Sequence, residues 1–94
     1  MSGWKGRPLV LDHMRNVDRE MLETGITTDS IIEVLEEGVS PAKRKRGVTE
    51  RWLRKGWRVT VVVVEDCGDY WLVRHVGVLG LTRRLSRLFG GKSP

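Results

Sequence analysis

Along the first quarter of the chain, apolar residues recur at helical spacing. Val10, Met14, Val17 and Met21 stand four, three and four residues apart, which places them on one face of an α-helix. Pro8 suits the first turn, where its missing N–H is no loss, and Gly25 follows the last apolar position. The pattern predicts a helix over residues 8–24. Ile31, Ile32 and Leu35 supply the buried face of a second helix over residues 28–37. Thr27 or Thr28 is placed to cap it, and Ser30 and Glu33 form a weaker capping-box pair further in. Gly38 falls where a left-handed C-terminal cap is expected, and Pro41 prevents continuation. Joined by the short Gly25-Ile26-Thr27 turn, the two segments predict an N-terminal helical hairpin.

From Val48 the period changes to two. Strands are predicted over residues 48–53, 57–65 and 70–76, separated by Arg54-Lys55-Gly56 and Asp66-Cys67-Gly68-Asp69. In the second strand Trp57, Val59, Val61 and Val63 share one face, while Arg58, Thr60, Val62 and Val64 share the other. Valines on both faces describe a central strand covered twice, with Trp57 in the core. Strict alternation in the third strand sends Arg74 and His75 to opposite faces and puts Arg74 on the Tyr70 face, where Arg58 would approach from the neighbouring strand. Leu81, Leu85, Leu88 and Phe89, with Arg83, Arg84 and Arg87 elsewhere, predict a short helix over 81–89 and a tail over 90–94. The expected fold is α+β: an N-terminal helical hairpin packed on a three- to four-stranded antiparallel sheet, with a short strand near Trp4 as the optional fourth and a C-terminal helix.

Composition narrows the class. A chain of 94 residues, 39% hydrophobic and 31% charged, makes one small domain over 1–94. Its longest aliphatic run, Val61 to Val64, is far too short to cross a bilayer as a helix. Leu9 to Leu11 does not make the apolar core of a signal peptide. With Cys67 alone and two histidines, no internal disulfide and no four-ligand Cys/His zinc site can form. A cytoplasmic protein without metal or cofactor is expected.

Charge adds a direction. The net charge is +5, but residues 1–38 hold four basic side chains against eight acidic ones, and residues 39–94 hold thirteen against four. The second half suits polyanions. Lys43, Arg44, Lys45, Arg46, Arg51, Arg54 and Lys55 place seven cations within thirteen residues. Nucleic-acid contact is expected there, the ordinary alternative being a solvated loop. Trp52, between Arg51 and Arg54, is the tryptophan placed to stack on a base.

The residues His13-Met14-Arg15, Arg19, Thr24-Gly25-Ile26-Thr27, Ile31-Ile32-Glu33 and Leu35-Glu36-Glu37-Gly38, followed by a basic loop and the strands at Trp57–Val64 and Trp71–Val76, resemble a small prokaryotic domain family of unknown function. Its members open with a His before a basic helix, a "G-I-S/T" turn and an "I-x-x-x-L-x-x-G" helix. That family is grouped with the RelE/ParE toxins and other ribonucleases of the barnase, EndoU, colicin and RelE fold. The resemblance spans roughly residues 9–78. It implies a RelE-like toxin-type domain, RNA as substrate and an acidic antitoxin-like protein as partner.

RNA cleavage without a metal needs a base for the ribose 2′-hydroxyl, an acid for the leaving 5′-oxygen and cations for the charged transition state. His13, Arg58, Tyr70, Arg74 and His75 are the candidates for these roles, with Arg58, Tyr70 and Arg74 as a phosphate patch on one sheet face. His13 lies at the edge of the Val10-Met14-Val17-Met21 stripe, where a histidine bonded to nearby backbone is the bland reading. Glu20, Glu23, Glu33, Glu36 and Glu37 read as solvated helix faces, and Cys67 has no basic activator close in sequence. Two rival functions fit the same features: a nucleic-acid-binding module without catalysis, and a protein-interaction domain, including a homodimer through residues 81–89.

Overall fold

A computed structural model describes residues 3–41 and 45–82. Two strands come first: β1 (Gly3–Trp4) and β2 (Arg7–Leu11). They pair antiparallel across a tight turn in which both Lys5 and Gly6 have positive φ, the backbone that joins two-residue hairpins. A 3-10 turn (His13–Arg15) leads into α1 (Val17–Thr24) and α2 (Thr28–Glu37). Three longer strands follow: β3 (Val48–Lys55), β4 (Arg58–Asp66) and β5 (Trp71–Gly80). The sheet order is β1-β2-β5-β4-β3, with β2 parallel to β5 and the other neighbours antiparallel.

This corrects the expected fold. No helical hairpin opens the chain; a strand hairpin does, and the sheet has five strands and is mixed. The helix expected over 8–24 fails in its first half. Val10 is 41% exposed and Met14 93% exposed, so their spacing carried no buried stripe. The working pattern is period two: Leu9 and Leu11 pack on the core, and β2 runs beside β5 from Leu9↔Trp71 to Leu11↔Val73. Asp12 then turns the chain. Its backbone N–H donates to Val73 O, and its carboxylate accepts from Met14 N. Asn16, left-handed at φ 54, separates the 3-10 turn from α1, a conformation Asn tolerates better than most residues.

Gly25 ends α1 at φ 76, and Thr27 caps α2 by accepting from Ser30 N at 3.2 Å. Gly38 does not adopt the expected left-handed cap; its φ is −74. Glycine is required there by crowding. A Cβ would press on Val34 O and lie 2.9 Å from Trp52 O, because the chain leaves α2 directly against β3 and Val39 bridges to Trp52.

The helices cover one face of the sheet. Val17, Ile31, Val34 and Leu35 bury against Val62, Val64, Val73 and Val76, closed at one end by Trp4 and Trp71. Those two rings lie 4.7 Å apart, Trp71 Nε1 donates to Trp4 O, and the Arg7 guanidinium sits 3.9 Å over Trp71. On the other face Val59, Val61 and Val63 form a second buried cluster with Val48, Trp52 and Leu81. Trp57 is not core: it lies in the β3–β4 turn and is 66% exposed. Leu81 does not begin a helix, since its N–H extends the ladder to Trp57 O. Residues 83–89 of the expected helix, the tail over 90–94 and the homodimer surface built on that helix lie outside the described residues. No helix among the described residues is long and apolar enough to cross a membrane.

Candidate functional site

Strand β5 carries an irregularity that decides the site. Val63 pairs with His75 and Val64 with Val73, so Arg74 is an extra residue opposite nothing, a β-bulge. Before it Trp71 and Val73 face the helices, and after it Val76 and Val78 do. The bulge resets the alternation, and Arg74 and His75 line one groove rather than opposite faces. The expected separation of these two residues is thereby overturned.

The groove runs from the sheet face away from the helices to the edge of β5, where Arg15, Glu20 and Val78 join its lining, and measures about 740 Å³, within the range of ligand-binding clefts. Trp52, Val61 and Val63 give it an apolar floor, and Arg15, Lys45 and Arg74 bring cations to its walls. The Trp52 indole is held by donating from Nε1 to Glu50 at 2.6 Å. Arg74 sits between Glu65 and Asp12, paired with both, and Arg15 lies 3.7 Å from Asp12. Arg74 is therefore fixed in place, with its charge shared among carboxylates.

His75 is held differently. Its Nδ1 lies 2.9 Å from Glu20 Oε2, and Glu20 Oε1 accepts from the Val76 backbone N–H. Glu20 thus reaches from the first turn of α1 to the edge of β5 beyond the end of β2, satisfying a strand donor and an imidazole together. The imidazole is half exposed. Among the described residues Nε2 has no hydrogen-bond partner, and a histidine with one nitrogen on a carboxylate and the other open is the geometry of an acid–base group.

The other expected site residues are not brought here. His13 sits exposed on the 3-10 turn, outside the groove lining and not bordering the core. Arg58 is at the opposite end of β4, paired with Gly80, and donates to Thr24 O at the end of α1. Tyr70 lies in the β4–β5 turn. Its hydrogen bond with the Cys67 side chain, and then that group's charge, push the phenol above its ordinary 10.0. The Arg58–Tyr70–Arg74 patch is not assembled.

The basic segment also divides. Lys45 lines the groove and Arg46 is exposed beside it, while Lys43 and Arg44 lie outside the described residues. Arg51 turns to the helix side, 5.9 Å from the Trp4 ring, with Nε buried and without a hydrogen-bond partner among the described residues. Arg54 donates to Gly56 O, and Lys55 pairs with Glu33 at 2.6 Å. Period-two alternation along β3 accounts for this spread.

Arg15, Glu20 and Gly77 are groove residues that the sequence reading did not select. Glu20 stood among solvated helix carboxylates, and nothing local marks a partner 55 residues away. Comparison with protein-family models, curated proteins and solved structures finds no match to this chain.

Proposed function

We propose that this domain binds RNA across the groove and cleaves it without a metal, with His75 as the acid–base group. The observation that carries the reading is the His75–Glu20 pair standing beside Arg74, Arg15 and Lys45 over an apolar floor. In the neutral imidazole, Nδ1–H donated to Glu20 leaves the Nε2 lone pair free to take a proton. Nε2 removes the 2′-hydroxyl proton, O2′ attacks phosphorus, the P–O5′ bond breaks, and the leaving oxygen takes a proton from a water that is in turn reprotonated by the His75 imidazolium, which restores the neutral ring. The products are a 2′,3′-cyclic phosphate and a 5′-hydroxyl. Arg15 and Lys45 offset the charge gathering on the phosphoryl oxygens, and Trp52 offers a face to a base.

The test is incubation of the purified protein with RNA in EDTA, with the fragment ends identified. Fragments ending in 2′,3′-cyclic phosphate, formed about 100-fold or more slowly by His75→Ala, are expected. Fragments formed equally by wild type and His75→Ala would overturn the reading. Because carboxylates already hold Arg74, a binding module without catalysis is the second reading; intact RNA with retained, salt-sensitive retardation would favour it.

A further inference from the structure

We propose that Gly77 and Glu20 are positioning residues for His75, Gly77 leaving room for its ring and Glu20 setting its tautomer, so that Nε2 is the reacting nitrogen. The inference rests on the groove reading above and assigns that site's orienting parts.

Glycine inside a strand is costly, because it loses more backbone freedom than any other residue and packs no side chain. Gly77 sits within β5 opposite Val61 and has none of the positive φ seen at Gly6, Gly25, Gly47, Gly56 and Gly68. Backbone geometry does not explain it. Space does: a Cβ at position 77 would stand 3.2 Å from His75 Nε2 and 3.6 Å from Cε1, and would meet nothing else within 4 Å. The imidazole lies over the bare backbone of its neighbour two residues on. Glu20 holds the opposite side of the ring through Nδ1 and is itself anchored on the Val76 N–H. The ring is held on one side by a charge-assisted hydrogen bond, and on the other it lies so close to position 77 that a Cβ there would push it by a few tenths of an ångström.

Such a hold selects a tautomer. A carboxylate accepts and does not donate, so in the neutral imidazole the proton resides on Nδ1 and the lone pair on Nε2. Removing the charge at Glu20 would release that choice, and a Cβ at Gly77 would displace the ring against Glu20, while both leave the apolar floor and the groove's cations in place.

The experiment measures the His75 ring nitrogens by ¹⁵N NMR and, in parallel, RNA turnover, in wild type, Gly77→Ala and Glu20→Gln. Glu20→Gln keeps an acceptor for the Val76 N–H, so the fold does not depend on the outcome as it would with Glu20→Ala. The expected result is a single Nδ1–H tautomer in wild type, a changed tautomer population in Glu20→Gln, and shifted ring-nitrogen signals in Gly77→Ala. Turnover falls about tenfold in Gly77→Ala, through kcat with KM unchanged, as a small misplacement of a reacting group predicts. Wild-type nitrogen signals unchanged in both variants would overturn the inference even if RNA is cleaved. Should wild type leave RNA intact, the ribonuclease reading falls while the NMR arm still decides whether Gly77 and Glu20 hold the ring.

Discussion

Single side chains tie the two ends of this domain together. Arg7 stacks on Trp71 and donates to Asp66 at 2.7 Å and to Gly68 O at 2.6 Å, joining β2 to the β4–β5 turn. The Asp66 carboxyl accordingly sits below its ordinary 3.8, held down first by the hydrogen bond from Arg7 and then by the Gly68 N–H, against a smaller opposing effect of desolvation. A carboxyl whose folded pKa is depressed stabilises the fold above the unfolded value and loses that contribution as pH falls through the lower folded value. Urea midpoints followed from neutral pH to below 3.8 should therefore drop more in wild type than in Asp66→Asn; parallel curves would remove this pair from the acid response. None of these partners was legible in the sequence, since Arg7 and Asp66 stand 59 residues apart and only the parallel β2–β5 pairing brings them together.

At the scale of elements, period and capping were readable where the element's own residues decide its conformation. Thr27 caps α2 as its position suggested, and the valines of β4 bury on both faces. The failures come where a neighbour decides. Pro8-Leu9-Val10-Leu11 satisfies a helix and a strand pattern alike, and the exposed edge of β5 makes it a strand. The bulge at Arg74 leaves no mark in local alternation, and it moves every later residue of β5 to the other face. Gly38 makes the same point energetically. Because a Cβ there would collide with backbone oxygens of Val34 and Trp52, Gly38→Ala should cost about 3 kcal/mol or more in urea denaturation, well above the effect of an exposed substitution.

For the molecule as a whole, charge and architecture separate. The acidic first part of the sequence supplies both helices, and the basic second part supplies β3, β4 and β5, while the groove draws Arg15 and Glu20 from the first part and Lys45, Glu50 and Arg74 from the second. If RNA lies across it, log Kobs should fall linearly with log salt, by about 0.7 per phosphate contacted on a single strand. The Lys45→Ala, Arg46→Ala double variant, which removes two cations, should lower that slope by about 1.4. A slope unchanged by the double variant would place the RNA elsewhere on the surface. An α+β chain, its second helix, the valine-rich central strand and the uneven charge were all readable from the residues, because each follows from local composition or period. The strand hairpin that opens the fold, the spread of the basic segment over two faces, and the meeting of His75 with Glu20 and Gly77 depend on contacts between distant parts of the chain. Pairing between distant segments sets those, and a bulge, a parallel neighbour or a carboxylate from another element has no signature in the residues beside it.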